Sequence, residues 1–478
     1  MAKTTLILST IAINWIATVS GCALSDPTDP YDGLPEFWRG RTDQVNTSSD
    51  EEMHSALVHP DGPLTLEAAV NIALTNNPEL AAQKNEAEAA AAQEEFASGE
   101  VLPHFSIEAG YSYFLDNQRI VPASANMQAG VFGRNLFSGD IVMRIPIYTG
   151  GRIASQIKAA ELLNLAAHHK LGRSRDEVIF NVSSLYFNIL AQKHVIESLD
   201  FSRQALERHL ERVEHLISAE KAARVDKLRT EVRLADIAQQ LVAQRNVLAV
   251  QREALSNLLG LSQNNESLEV VGDLEEEYPA LPAQQQAIDM ALEQREDFLA
   301  AQASLEAQAR AVDAARAEQW PVIYGQASYG GRWVPDPGQH PFDTDNLDDI
   351  GRVGVMGEIP LYQGGQVKAR IQREKAKLSA ARQRLRTLGL RIQLEVKTSL
   401  LNTQSAYEQV QATETAIEQA KESLRIERAK YEQGKGSITD VLDAQSSLLS
   451  TQTSYYKALA AYNVALAQYR LSIGESQR

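Results

Sequence analysis

Asp440 and Asp443 stand three residues apart, a spacing that puts both carboxylates on one face of a helix. Paired carboxylates can attract cations and repel each other. They can also be purely structural, because Ser437 precedes Asp440 by three residues, the spacing of a helix capping box. Cys22 is the single thiol, which excludes intrachain disulfides and cysteine zinc clusters. His168 and His169 are adjacent and His209 and His215 six apart, so none has metal-ligand spacing. They read as solvent-exposed. No nucleophile elbow, Ser/His/Asp set or phosphate loop is present, so the chain reads as a non-enzyme with no cofactor.

The setting of Cys22 is informative. Lys3 and a mostly apolar run from Leu6 to Val19 form a stretch too short for a membrane span, and Val19-Ser20-Gly21 places small residues before the thiol. This resembles a bacterial lipobox, in which the cysteine is acylated and becomes the first mature residue. An ordinary signal with an incidental cysteine is the alternative. Residues 1–21 are therefore expected to be a lipoprotein signal, with Cys22 holding the chain to outer-membrane lipid. Residues 22–62, polar and broken by Pro27, Pro30, Gly33, Pro35 and Pro60, read as a tether. The net charge of −16 argues against a nucleic-acid partner, and 6% aromatic content against a large conventional core.

The positioning elements come in two copies. Ile145-Pro146-Ile147-Tyr148-Thr149-Gly150-Gly151 reappears as Ile359-Pro360-Leu361-Tyr362-Gln363-Gly364-Gly365, and the offset from Pro146 to Pro360 is 360 − 146 = 214. Proline should end a strand and the paired glycines should act as strand-to-helix hinges. Before the first motif, a helix is expected from Leu64 to about Gly99 with Thr65 as its cap. Period-two alternation then marks a strand from His104 to Leu115 and a second from Asp140 to Ile147, with a loop near 116–136. After it, Val182, Ile189, Ile196, Arg203, Leu210 and Ile217 recur every seven residues in a helix running from Arg152 to about Ser218. A turn near Glu220 to Arg224 precedes a return helix with Leu234, Leu241, Leu248 and Leu255. The second copy follows: helix 283–318, a strand from Pro321 to Trp333, a loop at 335–349, and a fourth strand carrying Val353, Val355, Ile359 and Leu361. A long helix and a return helix with Leu448, Tyr455, Tyr462 and Tyr469 complete it. The halves are thus 63–261 and 283–478, joined by an acidic segment at 262–282.

Four strands per chain cannot close a barrel, and open edges cannot sit in lipid. Three copies would supply 12 strands, an ordinary barrel size. The order of elements, the Pro-[Ile/Leu]-Tyr-x-Gly-Gly motifs, the acidic join and Thr439-Asp440-Val441-Leu442-Asp443-Ala444-Gln445 make residues 64 to 474 similar to the TolC family of outer-membrane efflux channels, lipoprotein branch. The resemblance implies a mainly α fold with a small β part. It implies a homotrimeric periplasmic α-helical tunnel continuous with a shared 12-stranded outer-membrane barrel, joined by a periplasmic adaptor to an inner-membrane transporter. Passive export through that duct is the function implied, and a non-conducting lipoprotein coiled-coil scaffold of the envelope is the alternative.

The resemblance also gives roles. Asp440 and Asp443 match the aspartates of the periplasmic entrance, and Tyr431 a tyrosine of its closing contacts. Asp226 is the first-half counterpart of Asp440, whereas Arg229 replaces the second acid. Glu220 and Ala222 replace Gly434 and Gly436, so the first turn is expected to be built differently. Tyr111, Tyr113, Tyr148, Tyr324, Trp333 and Tyr362 are candidates for aromatic girdles at the bilayer edges.

Overall fold

A computed structural model describes residues 62–121, 131–220, 223–261, 268–274, 278–333 and 347–475. Cys22, the signal and the tether lie outside these residues, as do parts of the acidic join and of the loop at 335–349. The elements are α1 (Leu66–Asn76), α2 (Pro78–Gly99), β1 (His104–Val121), β2 (Val131–Tyr148), α3 (Arg152–Ser218) and α4 (Arg224–Leu258). The second half gives α5 (Gln284–Gln294), α6 (Glu296–Ala317), β3 (Val322–Trp333), β4 (Leu347–Glu358), α7 (Gln366–Glu432) and α8 (Ile438–Ile473). The fold is mainly α with a small β part, as the periodicities require. No helix among the described residues is long and apolar enough to cross a membrane.

The strands form one antiparallel sheet in the order β1-β2-β3-β4, so β2 and β3 join the halves and β1 and β4 are open edges. Alternation sorts the side chains. Phe105, Ile107 and Tyr111 share a face with Met143, Ile141 and Phe137, and with Ala327, Tyr329 and Trp333 on β3. On the other face Glu108 pairs with Arg144 at 2.8 Å and Asp140 with Arg332 at 2.8 Å. One face is apolar and exposed, the other charged and internally paired.

α3 and α7 contain 67 residues each, about 100 Å of helix. Near the strands the packing order is α2–α3–α6–α7; toward the turns it is α4–α3–α8–α7. Val182, Ile189, Leu199, Leu206 and Val213 are fully buried in these seams, while Leu210 and Ile217 stay half-buried.

Several expectations are corrected. The helix expected over 64–99 breaks at Asn77, whose Oδ1 accepts from the amides of Glu79 (3.0 Å) and Leu80 (3.1 Å) and so starts a new helix at Pro78. Thr65 caps the first piece, accepting from Ala68 N at 3.3 Å. Helix 283–318 likewise breaks at Arg295. The loop near 116–136 is shorter than expected, since β1 reaches Val121 and β2 starts at Val131. Pro146 does not end its strand: it lies within β2 opposite Tyr324, and an irregularity between Pro146 and Tyr148 absorbs the missing donor. β4 instead stops at Glu358, leaving Ile359, Pro360 and Leu361 outside it. Tyr324, opposite Pro146, lies on the charged face rather than with Tyr111 and Trp333. The glycine pairs do redirect the chain, with left-handed φ of 63° and 87° at Gly150 and Gly151 and 60° and 82° at Gly364 and Gly365.

The halves are pinned in the same way where each return helix ends. Asn77 Nδ2 donates to Leu258 O at 2.9 Å, and Arg295 Nη1 to Ser472 O at 3.2 Å. Leu258 and Ser472 are equivalent positions of the repeat, since 472 − 258 = 214. Arg295 is 2% exposed and also bonds Asp297 (2.7 Å) and Glu395 (2.8 Å). The acidic join is anchored too: Leu64 N donates to Glu269 O at 2.8 Å and Val271 N to Leu64 O at 3.0 Å.

Gly474, with φ 79°, closes α8 so tightly that a Cβ would lie 2.9 Å from Arg295 N, whereas Gly434, with φ 69°, has nothing within 4 Å. Gly434→Ala should therefore cost about 1 kcal/mol, for left-handed backbone alone. Gly474→Ala should cost roughly 2–3 kcal/mol because backbone must also move. Thermal melts of the two variants check this; equal costs would contradict the close packing.

Candidate functional site

The candidate residues gather where the long helices turn back. In the first half, Ala219 and Glu220 carry the turn, and Glu220 has a φ of 56° where Gly434 has 69° in the second half. The two turns therefore share their left-handed step, contrary to the different build expected from the missing glycine. Glutamate tolerates that conformation at a cost. Ala222 lies outside the described residues.

Asp440 is committed to the start of α8. Ser437 N donates to Asp440 Oδ2 at 3.2 Å and Thr439 N to Ser437 Oγ at 3.2 Å. Asp226 repeats this weakly, accepting from Ala223 N at 3.4 Å. Asp443, one turn further along, is free of the cap, and its side chain is 70% exposed, 3.9 Å from Arg233 Nη2. The two aspartates thus share a helix tip but face different surroundings.

Three contacts tie the first hairpin to the second. Arg212 on α3 meets Glu432 at 2.6 Å, Arg229 on α4 donates to Thr439 Oγ1 at 2.7 Å, and Arg233 approaches Asp443. Exposed pairs of this kind are individually weak. Beneath them Tyr431 packs on the cluster of Leu206, Ile237, Leu241, Leu424, Ile438 and Leu442, with its ring 5.7 Å from that of His209. Burial, with Asp226 adding, raises the Tyr431 phenol above its ordinary value.

Sequence reasoning missed His209 and Arg233. His209 is half-buried rather than solvent-exposed, and its Nε2 is buried without a hydrogen-bond partner among the described residues. His169 is corrected too: it is half-buried, 2.6 Å from Glu296 Oε2. The seven-residue spacing was the available signal, since His209 follows Ser202 on the buried row that continues near Val213. Deeper in the body, a cavity of about 640 Å³ is lined mainly by alanines and amides, among them Asn188, Gln192, Gln251, Asn402 and Gln409, with Lys457. It offers polar walls and no paired nucleophile and base.

Two antiparallel hairpins of extreme length, tied at their tips and continuous with a sheet that is apolar on one face, define a channel-type membrane protein. The model of the outer membrane efflux protein family matches residues 69–261 and 287–475, and the chain belongs to that family. It is 24% identical to the cobalt-zinc-cadmium resistance protein CzcC of Cupriavidus metallidurans, over 81% of this chain and 84% of that protein. It is 21% identical to the outer membrane protein TolC of Escherichia coli, over 83% of this chain and 79% of that one. In structure it resembles the Campylobacter jejuni CmeC outer membrane channel, with a TM-score of 0.72, 18% identity, and coverage of 86% of each chain.

Burial above all, and then Arg428 and Arg212, hold the His209 pKa below its ordinary value, against the opposing pull of Asp226. The folded tip therefore prefers neutral His209. That contribution is intact above about pH 6.5 and is lost as pH falls through the depressed value. Amide protection factors at 209–218 and 428–433, referred to the intrinsic rate at each pH, should fall on acidification from pH 7 to 5, and His209→Gln should flatten the response. An unchanged pH response in the variant would exclude His209 as its source.

Proposed function

We propose that this chain is one protomer of a homotrimeric duct that spans the outer membrane and reaches across the periplasm. The observation that carries the reading is the sheet, apolar and exposed on one face, charged on the other, and open at both edges. Such a face belongs in hydrocarbon, where unpaired edge groups cost several kcal/mol each, so only a closed barrel is tolerated. Three copies supply 12 strands, with the Glu108–Arg144 and Asp140–Arg332 pairs turned to the lumen and the helices continuing as a tunnel. Transport is passive. A periplasmic adaptor and an inner-membrane transporter supply the substrate and the energy, and acylated Cys22 adds a lipid anchor. The halves 63–261 and 283–478 act as equivalent staves linked by 262–282, and Gly150, Gly151, Pro360, Gly364 and Gly365 serve as the joints between strand and helix, with Pro146 inside β2 just before the first joint. Tyr111, Tyr113 and Trp333 support an aromatic belt on the lipid face. A scaffold without a pore would need neither the apolar sheet face nor the charged one.

At the entrance, Asp443 is the permeant-facing carboxylate, Asp440 combines a cap with local negative charge, and Tyr431 and Asp226 brace the closed tips. Three copies gather these charges near one axis, which favours cations.

Purified protein should migrate as a heat-modifiable trimer and conduct in planar bilayers; a monodisperse, non-conducting monomer would defeat the duct. In a conducting trimer, Asp443→Asn should weaken block by a trivalent cation at least several-fold while leaving assembly intact. Unaltered block would remove Asp443 from the entrance ring. Mass spectrometry should find the mature chain starting at a diacylated or triacylated Cys22, and an unmodified Cys22 would exclude the anchor.

A further inference from the structure

The two halves repeat at two different offsets. α3 begins at Arg152 and α7 at Gln366, so that 366 − 152 = 214. α2 begins at Pro78 and α6 at Glu296, and β1 at His104 and β3 at Val322, so that 296 − 78 = 322 − 104 = 218. Strand register obeys both. His104 opposes Arg144 in the first hairpin and Val322 opposes Glu358 in the second, with 104 + 218 = 322 and 144 + 214 = 358. The chain also contains, once, the junction between a first half and a second half: β2 on β3 and α3 on α6. In a closed ring that junction recurs between copies, as β4 on β1 and α7 on α2.

The residues at the outer junction are the ones left unsatisfied. A Cβ on Gly150 would lie 2.6 Å from Trp320 Cβ, but on its repeat Gly364 it would meet nothing within 4 Å. Pro146 and Tyr148 pair with β3, yet their repeats Pro360 and Tyr362 lie beyond β4, with Tyr362 86% and the intervening Leu361 93% exposed. At the opposite edge Phe105, Ile107 and Leu102 are exposed as well.

Charge is complementary across the same gap. On α7, Lys368, Lys375 and Arg382 recur every seven residues, are exposed, and make no ion pair among the described residues. On α2, Glu79 and Glu86 do the same with the opposite sign. Internally His169 of α3 meets Glu296 of α6. Shifted by 214 and 218, that contact sets position 383 of one copy level with position 78 of the next. The helices run antiparallel there, so Arg382 falls level with Glu79 and Lys375 with Glu86. The internal junction carries Glu161 and His168 on α3 and Asp297 and Ser304 on α6 at those positions, so this charge pattern is confined to the outer one. Charge of this kind selects the correct neighbour more than it adds affinity.

Within the ring formed by repeating the internal junction, we propose that Lys375 and Arg382 of one copy pair with Glu86 and Glu79 of the next. β4 adds to the next copy's β1 with Val355 opposite Tyr111. Ile359–Tyr362 then extends β4, setting Tyr362 opposite Phe105, and Gly364 receives the Leu102 segment. The inference rests on the ring-forming reading above and adds its contacts.

Zero-length carbodiimide coupling of the wild-type assembly, followed by peptide mapping, should join Lys375 to Glu86 between copies. Val355→Cys with Tyr111→Cys should form disulfide-linked dimers and trimers on oxidation, whereas Val355→Cys with Leu115→Cys, four residues out of register, should not. Lys375→Glu with Arg382→Glu should lower the surviving trimer fraction at least five-fold, and Glu79→Lys with Glu86→Lys added to that chain should restore it. A trimeric wild type that couples elsewhere, or links through the offset pair, overturns this junction and leaves the trimer standing. A monomeric wild type overturns both.

Discussion

The structure depends on the backbone groups along the outer edges of β1 and β4. A sheet with Phe105, Ile107, Tyr111 and Tyr329 on one surface is stable in hydrocarbon only when every amide and carbonyl of its strands is bonded. One chain cannot satisfy that condition, because its four strands pair in sequence order and stop. In the proposed assembly, neighbouring copies supply the missing ladder. Once they do, the helices that leave the strands are drawn into a ring as well, since α2 and α4 flank the β1 side and α7 the β4 side. In the proposed assembly, a place for Asp443 near an axis would be a distant consequence of the same edges.

Transmitting ring closure from sheet to helix tips over about 100 Å requires stiff joints. Gly150 and Gly151 turn β2 into α3 across residues 149–151, Gly364 and Gly365 make the same left-handed step just before α7, and the Gly150 joint is braced by Trp320. Midway, Asn77 and Arg295 break a helix and use the same side chain to hold the end of the adjacent return helix. A buried arginine satisfied by Asp297, Glu395 and a carbonyl is costly to disturb, since removing one partner leaves charge buried, typically a loss of about 3–5 kcal/mol.

The sequence was most readable where periodicity operates over long runs. The bounds of α3, the antiparallel hairpins and the duplication itself follow from heptads, alternation and the paired Pro/Gly-Gly motifs. The break at Asn77 had a local signal in the Asn-Pro pair, where Asn77 caps a new helix at Pro78, whereas Arg295 acts largely through Glu395 and a carbonyl 177 residues away. The second offset, that of the short helices and first strands, was hidden for a related reason: it lies in the alanine-rich helices, whose composition carries little positional signal. Asp440 could be read as a capping acid from Ser437 alone. His209, in contrast, looked like any exposed helical histidine until its neighbours on α7 were in place, and Arg233 gained meaning only beside Asp443. Ile359 and Leu361 had the alternation of a strand; what they lack in one chain is a partner.

That last segment gives the most direct measurement. Amide hydrogen exchange of the assembled protein in lipid nanodiscs reports whether the edges are closed. Closure by neighbouring copies predicts that the amides of Ile359, Leu361 and Tyr362, and those of β1 from Phe105 to Tyr113, are as protected as the central strands β2 and β3. Rapid exchange along either edge, with β2 and β3 protected, would contradict a shared barrel.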